Sequence, residues 1–238
     1  MKISARNLSF SELNALVKSS DGNVCIDGCL GQRYIGAGLK DKKITVYGTP
    51  GNALGAYLDG GEVEVYGNAQ DAVGDTMNAG KIIIRGSAGD ALGYAMRGGV
   101  IYIRDDAGYR IGIHMKEYKR KKPVIVIGNR TGSFLGEYLA GGLIIVLGLA
   151  SEDTPVGSYA ATGMHGGKIC VRTDGEIKGL PKQVSAEPAD DKDIQEILPY
   201  IKKYSDFFDY DAEEIMRKPF QVLKPNTKNP YHRLYIAN

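Results

Sequence analysis

The chain of 238 residues carries a formal net charge of +2, with 30 basic and 28 acidic residues. This balance gives no overall attraction to nucleic acid or to an anionic membrane, so we expect neither partner. The longest apolar run, residues 143–147, is far shorter than the ~20 residues of a membrane span, and no apolar signal segment follows Met1. Three cysteines without metal-ligand spacing are typical of a reducing compartment, so the sequence predicts a cytoplasmic protein.

Residues 1–23 predict a helical cap. Ser9 and Glu12 have the spacing of a capping box, and Leu13 and Val17 follow on one face of the helix that it would open. Gly22 supplies a stop, because glycine takes the left-handed conformation at a helix end. A short amphipathic helix is a suitable cover for the open edge of a repeat array.

Residues 48–105 contain three end-to-end copies of one 19-residue unit. The copies read GTPGNALGAYLDGGEVEVY, GNAQDAVGDTMNAGKIIIR and GSAGDALGYAMRGGVIYIR. Self-similarity at a period near twenty is the signature of a solenoid. Such a coil is too short for a strand and a full helix, so the chain must turn several corners and stack on itself in parallel. We predict an all-β solenoid over residues 24–173, a right-handed parallel β-helix of about seven coils, since parallel crossovers are right-handed in about 98% of cases.

Two inward ladders are predicted inside this column. Each copy carries an apolar-glycine pair and, three residues past the glycine, a large apolar residue. The first ladder is Leu54, Val73, Leu92 and Ile111, and the second is Met77, Met96 and Met115. Strands follow, with β-branched residues at alternate positions on the buried face.

The outer face of two late strands is predicted to be apolar. Alternation assigns Val124 and Val126 to the interior, which leaves four apolar residues outside: Ile125, Ile127, Ile145 and Leu147. Soluble monomers avoid an exposed patch of this kind, so we expect another part of the chain or a partner to cover it.

Two coils are longer than the unit. A basic run replaces the tight turn in the coil from Asp105 to Gly128, and we place the extra residues of the last coil at Ser158–His165. Both stretches follow the repeat glycine, so they are expected along one edge, where insertions commonly form a working face. The predicted partner-contact residues are His114, Lys116, Lys119, Arg120, Lys121, Lys122 and His165. A solvated excursion is an equally good interpretation of the basic loop.

Residues 174–238 form a different kind of chain. A helix with an apolar stripe is predicted from Asp190 and Asp191, kinked or divided at Pro199, and a second helix follows a cap at Asp211. From Pro219 onward the prolines predict an extended tail without regular structure. The helical stripe is suited to covering the apolar outer face.

The sequence carries few motifs of catalysis. It contains no P-loop, HExxH, CxxC or GxSxG pattern. Asn52, Asp71 and Asp90 form a polar ladder with two interpretations: turns held by hydrogen bonds to backbone, or a carboxylate site that binds calcium or cleaves polysaccharide. Interruption by Tyr109 and Ser133 favours turns. We predict no catalytic, cofactor-binding or metal-binding residue on this chain.

The repeated unit resembles a known domain. The pattern G-x(6)-G-x(4)-GG-x-[IV]-x-[IV]-x-G, with GQRYIGAGL, GYRIGIHMKEYK, GMHGG and the C-terminal PYHRLYIAN, is similar to the GXGXG domain that closes the large subunit of glutamate synthase. Its stand-alone form in split, archaeal-type enzymes is the better match. The alternative within the same repeat family is the β-helix subunit of formylmethanofuran dehydrogenase.

The resemblance implies a right-handed β-helix with no catalytic residue of its own. It implies packing against amidotransferase and FMN-containing synthase subunits, which would hold FMN and an iron–sulfur cluster. A scaffold role in glutamate formation from glutamine and 2-oxoglutarate follows from it, and a homo-oligomer stays open.

Overall fold

A computed structural model describes residues 1–226 of the chain. In this part the strands are β1 (Lys2–Ser4), β2 (Val24–Leu30), β3 (Lys43–Thr49), β4 (Asp59–Tyr66), β5 (Ala79–Ile84), β6 (Val100–Ile103), β7 (Val124–Ile127), β8 (Ala140–Val146), β9 (Gly166–Arg172), β10 (Val184–Pro188) and β11 (Phe220–Pro225). The helices are α1 (Phe10–Ser19), α2 (Asp191–Phe208) and α3 (Ala212–Arg217).

The strands stack as the repeat predicts. From β1 to β9 each strand pairs in parallel with the next one in the sequence, so every coil adds one rung to a single sheet. One inward ladder runs through Ile44, Val63, Ile82, Ile101, Ile125, Ile144 and Ile169. The predicted all-β solenoid is therefore confirmed.

Both predicted inner ladders are confirmed. The residues of the first ladder are completely buried, and so are the three methionines of the second. The first ladder continues into Leu135 and the second into Leu139 and Met164, all with no exposed surface. Apolar side chains of similar size thus stack along the column axis, each filling the space between two neighbours.

The opposite side of each coil is a double turn that the sequence did not suggest. In the coil around Gly55, the residues Ala53 and Tyr57 also have left-handed backbone, with φ of 63° and 57°. The amides of Ala53 and Tyr57 donate to the backbone carbonyls of Asp71 and Asp75 in the next coil. The Gly55 amide donates to the Ile35 carbonyl in the preceding coil. This alternation ties each double turn to both of its neighbours and holds the unusual backbone in place.

The predicted register of β7 is wrong by one residue. Ile125 and Ile127 pair with the inward Ile101 and Ile103, and Val124 and Val126 face outward. The prediction treated Gly128 as the end of the coil that begins at Asp105. In the structure the Asn129 amide donates to the Asp105 carbonyl and Ile125 pairs with Ile101, so the coil is 24 residues long. A slip of one residue exchanges the two faces of a strand.

The extra residues of the last coil were also misplaced. Val156 pairs with Thr131 in an isolated parallel β-bridge. The Ala161 amide donates to the Leu135 carbonyl, which is equivalent to the bond from the Gly136 amide to the Ile111 carbonyl one coil earlier. The segment 158–165 is therefore a regular double turn, and the insertion lies between β8 and Val156. The two stretched loops leave the column at different corners, so the prediction of one shared edge is wrong.

The apolar outer face is covered by the C-terminal helices. Val124, Val126, Leu143, Ile145 and Leu147 are buried in a second core with residues of α2, α3 and β11: Ile197, Ile201, Tyr204, Phe208, Ile215 and Phe220. The predicted covering role of the helical stripe is confirmed. The helix α2 runs through Pro199 as one element, so the prediction of a division there is wrong.

The segment after Pro219 contains regular structure. The strand β11 pairs antiparallel with β9 and with β10, so it closes the end of the sheet. Pro219 and Pro225 stand at its two ends, where a missing amide costs little. The prediction of a tail without regular structure is wrong for residues 220–225. Pro230 and the PYHRLYIAN stretch lie outside the described residues.

The N-terminal capping helix forms, but it ends at Ser19 with extended backbone at its cap Ser20, so the prediction of Gly22 as its stop is wrong. Ser9 and Glu12 make both hydrogen bonds of a capping box, and Leu13 and Val17 are buried against the first coils. The Lys42 ammonium donates to three carbonyls at the C-terminal end of α1 and its cap, over 2.6 to 2.8 Å. A cation at this end also complements the helix dipole.

Candidate interaction surfaces

The basic loop is a tight hairpin turn that projects from the column. The backbones of Tyr118 and Lys121 exchange both hydrogen bonds, over 3.1 and 3.0 Å, and place Lys119 and Arg120 at the tip. Lys119 takes the left-handed backbone that such a turn requires. The Glu117 carboxylate accepts from the Gly142 amide, which fixes the base of the loop.

Only part of the predicted basic surface is available to a partner. Lys121 forms an ion pair with Asp59 at 3.2 Å, and Lys122 forms one with Glu196 of α2. Lys116, Lys119 and Arg120 have no acidic partner among residues 1–226. These three cations are the part of the loop suited to binding an acidic surface, because no carboxylate of residues 1–226 pairs with them.

The two predicted histidines lie on different sides of the column. His165 occupies the same corner of the column as Lys116, two coils further along. The His165 amide donates to the Leu139 carbonyl, and the Lys116 amide makes the equivalent bond to the Met96 carbonyl. Its Nδ1 lies 3.0 Å from the Gly163 carbonyl oxygen. His114 lies in a double turn instead, stacked on Tyr138 with 5.1 Å between ring centroids. The structure therefore groups His165 with the basic loop, and His114 with a set of aromatic rings.

Those aromatic rings were missed at the sequence level. Double-turn positions carry the exposed Tyr94 and Tyr159 and the half-buried Phe134 and Tyr138, and the Phe134 ring stacks on that of Tyr159 with 5.1 Å between centroids. The signal was present, since each ring stands within two residues of a repeat glycine or of its equivalent, Ala161. The misplaced insertion in the last coil hid it by shifting the alignment of Tyr159.

The polar ladder serves the turns. Asn52 accepts from the Asp71 amide at 3.3 Å, Asp71 accepts from the Asp90 amide at 2.9 Å, and Asp90 accepts from the Tyr109 amide at 2.8 Å. Each side chain thus binds the backbone of the next coil, as the turn interpretation requires. One oxygen of each carboxylate is occupied in this way, which weighs against the polysaccharide-cleaving alternative.

The most buried charged side chain of residues 1–226 lies where α2 attaches to the sheet. Asp193 is 2% exposed and accepts from Lys168 at 2.7 Å and from Lys224 at 2.8 Å. Burial acts to raise the pKa of this carboxyl, but the hydrogen bonds from both lysines outweigh it and lower the pKa to about 2. Glu196 also binds Lys168, so the cluster joins β9, β11 and α2 in one ionic network.

Membrane-spanning helices and metal clusters are both absent from residues 1–226. No helix there is long and apolar enough to cross a bilayer. The same residues bring together no group of three or more histidine, cysteine, aspartate or glutamate side chains that could hold a metal ion.

The comparisons with known proteins define the class. The GXGXG motif family matches residues 13–228, which is most of the chain. The chain belongs to this family, to which the GXGXG domain of glutamate synthase type also belongs. An uncharacterised protein of Methanocaldococcus jannaschii is 37% identical over 251 residues, with 99% of this chain and 96% of that protein covered.

A solved structure shares the fold. It is a chain of the formyltransferase/hydrolase complex from Methylorubrum extorquens, determined in complex with methylofuran. The TM-score is 0.68 at 20% identity, and the match covers 94% of this chain and 91% of that one. At this identity the similarity concerns the fold alone.

Proposed function

We propose that the chain is a non-catalytic scaffold subunit of a split glutamate synthase. In this proposal it supports glutamate formation from glutamine and 2-oxoglutarate within a multi-subunit complex. Membership of the GXGXG family over residues 13–228 is the observation that carries it. The use of Asp71 and Asp90 as turn acceptors supports a role without chemistry on this chain.

The chemistry then belongs to partner chains. An amidotransferase subunit would release ammonia, and a synthase subunit with FMN and an iron–sulfur cluster would perform the reduction. The solenoid offers these partners a rigid column, because every coil is bonded to the coils on both sides.

We place part of the partner contact at the projecting basic turn. Lys116, Lys119 and Arg120 would face an acidic surface, which speeds encounter and makes association sensitive to salt. His165 lies on the same corner and extends this contact along the column.

The experiment is reconstitution from purified chains. The protein is mixed with the amidotransferase and synthase chains from the same source, and complex formation and glutamine-dependent glutamate production are measured. The double variant Lys119→Ser/Arg120→Ser should bind several-fold more weakly at low salt and lose most of the salt dependence. The control Lys192→Ser/Lys202→Ser removes the same charge from exposed positions of α2 and should bind like the wild type.

Two outcomes would contradict the proposal. If no such chain binds, the glutamate synthase assignment fails. If the isolated protein hydrolyses glutamine or forms glutamate by itself, its non-catalytic role fails. Equal binding by both double variants would reject only the basic turn as the contact.

A second candidate is a role like that of the β-helix subunit of formylmethanofuran dehydrogenase. The shared fold with a chain of the formyltransferase/hydrolase complex favours it. The same binding assay with formylmethanofuran dehydrogenase chains decides between the two. Stable binding to that set, and none to the glutamate synthase set, would select this candidate.

A further inference from the structure

The last double turn, residues 159–163, ends the row of double turns at the C-terminal end of the column. In every earlier coil two amides of the double turn donate to carbonyls of the next coil, as the Phe134 amide does to the Ser158 carbonyl at 2.9 Å. The equivalent amides of the last double turn, those of Tyr159 and Gly163, have no acceptor among residues 1–226. The row is therefore open at this end in the part of the chain that the structure describes.

Two carbonyls of the same coil are also without a donor. The Leu135 and Leu139 carbonyls of the preceding coil accept from backbone amides of the last one, whereas the equivalent carbonyls of Ala160 and Met164 accept from none within residues 1–226. Both of these residues are buried, and so is Gly163, so water has little access to their backbone groups. Buried backbone donors and acceptors are normally paired, because leaving them without a partner costs free energy.

At the other end of the row a cap takes the place of the missing coil. The Asn52 carbonyl accepts from the Tyr34 amide of the coil before it. The equivalent carbonyl of the first coil, that of Arg33, accepts instead from the side-chain amide of Asn14 in α1, at 2.8 Å. A segment outside the repeat can therefore satisfy the backbone at an end of the row.

The chain leaves the described fold beside the open end. The strand β11 occupies the level directly beyond β9 and runs antiparallel to it, with Leu223 opposite Ile169. Continued in the same register, Asn226 comes level with Gly166, where β9 begins just after the last double turn. The chain beyond Asn226 therefore starts at the level that a further coil would occupy, on the side of the double turns.

The length of the remaining chain is sufficient to cross the double turn. Twelve residues, 227–238, follow Asn226 and lie outside the described residues. At ~3.3 Å per residue an extended chain of this length reaches about 40 Å. The stretch 159–166 that it would have to pass contains eight residues.

The charge of this segment is opposite to that of the surface beside the double turn. The segment contains the bases Lys228 and Arg233 and no acidic residue. Asp153 and Glu176 line a cavity of about 340 Å³ next to the last double turn, together with the single base Lys178. Neither acid forms an ion pair within residues 1–226, so both are available to the segment.

We propose that the C-terminal segment 227–238 docks on the last double turn and closes the row in place of a further coil. It continues the path of β11, antiparallel to the last coil, with its carbonyls accepting from the two free amides and its amides donating to the two free carbonyls. Addition of an extended segment to free backbone groups is a general mode of peptide recognition. This contact lies within one chain and does not depend on the enzyme complex that the chain serves.

The first test is amide hydrogen exchange, followed by NMR on the full chain and on a chain shortened to residues 1–226. In the full chain the Tyr159 and Gly163 amides should exchange roughly 100-fold more slowly than in an unfolded peptide, and in the shortened chain at least about tenfold faster than in the full one. The Phe134 and Tyr138 amides are the matched control, because their acceptors lie within residues 1–226. Their exchange should be the same in both chains.

Two results of this test would overturn the proposal. One is exchange of the Tyr159 and Gly163 amides in the full chain at the rate of an unfolded peptide. The other is equal exchange of these amides in the full and the shortened chain.

The second test keeps the full length, so it does not depend on how the shortened chain folds. The variant Lys228→Glu/Arg233→Glu should exchange the Tyr159 and Gly163 amides several-fold faster than the wild type. Adding Asp153→Lys/Glu176→Lys to it should restore slow exchange, because the attraction is then re-formed with the signs exchanged.

The control reverses the same charge elsewhere. Lys192→Glu/Lys202→Glu changes two exposed positions of α2 and should leave the exchange of the Tyr159 and Gly163 amides unchanged. Faster exchange in this control, or unchanged exchange in Lys228→Glu/Arg233→Glu, would overturn the proposal.

Other occupants of the last double turn give distinct results. Slow exchange of the two amides that appears only at high protein concentration would assign the site to a second copy. Slow exchange that appears only after the synthase or amidotransferase chains are added would assign it to a partner. Either result rejects docking of the C-terminal segment.

Discussion

At the scale of single residues, the column depends on glycines that meet a side chain of the next coil. Gly112 has φ of 69°, and a Cβ atom there would lie 2.6 Å from Cδ1 of Ile144. The left-handed backbone and the close approach both favour glycine at this position. At the corresponding position of the last coil the chain carries Ala161, also left-handed at φ 60°. Alanine thus occurs where no further parallel coil follows.

The glycine requirement predicts an asymmetric mutational effect. Gly112→Ala should lower the free energy of unfolding by about 2–4 kcal/mol, since it adds backbone strain and overpacks the Ile144 site. Ala161→Gly should change it by less than about 1 kcal/mol, because relief of strain is offset by greater freedom in the unfolded chain. Urea unfolding of both variants measures this. A destabilisation by Gly112→Ala no larger than that of Ala161→Gly would contradict the packing argument.

The polar ladder predicts a second residue-scale difference. Asp90→Asn keeps an oxygen that can accept from the Tyr109 amide, so stability should stay within about 0.5 kcal/mol of the wild type. Asp90→Ala removes that acceptor and should cost about 1 kcal/mol. Thermal unfolding of the two variants compares them directly. If Asp90→Asn is as damaging as Asp90→Ala, the negative charge rather than the hydrogen bond matters.

At the scale of elements, the C-terminal helix is held by two kinds of contact. Its apolar face covers the outer residues of β7 and β8, and Tyr204 donates a hydrogen bond of 2.7 Å to the Arg104 carbonyl. The ionic cluster around Asp193 then fixes the start of α2 to β9 and β11. A buried charge of this kind is costly when one partner is removed, so it favours a single docked position of the helix.

The Asp193 cluster predicts a pH dependence of stability. The carboxyl pKa falls from 3.8 to about 2 on folding, so the ionised group stabilises the fold above pH 3.8 by about 2 kcal/mol. That contribution is lost as the pH falls from 3.8 through 2. Asp193→Asn should therefore be less stable than the wild type at pH 6, and the difference should shrink towards pH 2.

Urea unfolding at several pH values provides the check. Asp206→Asn is the control, because Asp206 pairs with Lys203 on the exposed face of the same helix. It should show almost no difference from the wild type at any pH, since exposed pairs contribute little. A pH-independent difference for Asp193→Asn would mean that its carboxylate does not titrate as a paired, buried group.

Element prediction from the sequence succeeded where local chemistry repeats and failed where spacing changes. Capping residues at Ser9, Asp190 and Asp211 marked helix starts correctly, because their side chains bind the first amides of the same helix. The strand β7 has β-branched residues at all four positions, so alternation could not decide its register. The strand β11 was missed because its pairing with β9 and β10 depends on distant residues that proline content does not reveal.

At the scale of the whole molecule, the chain is a stack whose two ends are closed differently. At the start, β1 and α1 cover the first coil, and at the other end β11 and β10 turn the sheet antiparallel. The column itself was predictable, because a 19-residue period places equivalent residues of successive coils directly above one another. The row of double turns was not, because its left-handed positions line up only when both longer coils are aligned in three dimensions.

The closed ends predict how the molecule fails when one is removed. Deleting residues 1–20 uncovers the edge of β2 and the buried Ile26 and Ile35, which now have no α1 above them. Exposed strand edges pair with other edges, so this variant should form end-to-end oligomers that grow with concentration. Sedimentation should show oligomers whose mass grows with protein concentration beyond that of the wild type. A deletion variant with the mass and unfolding temperature of the wild type would show that the cap is dispensable and that the first coil protects its own edge.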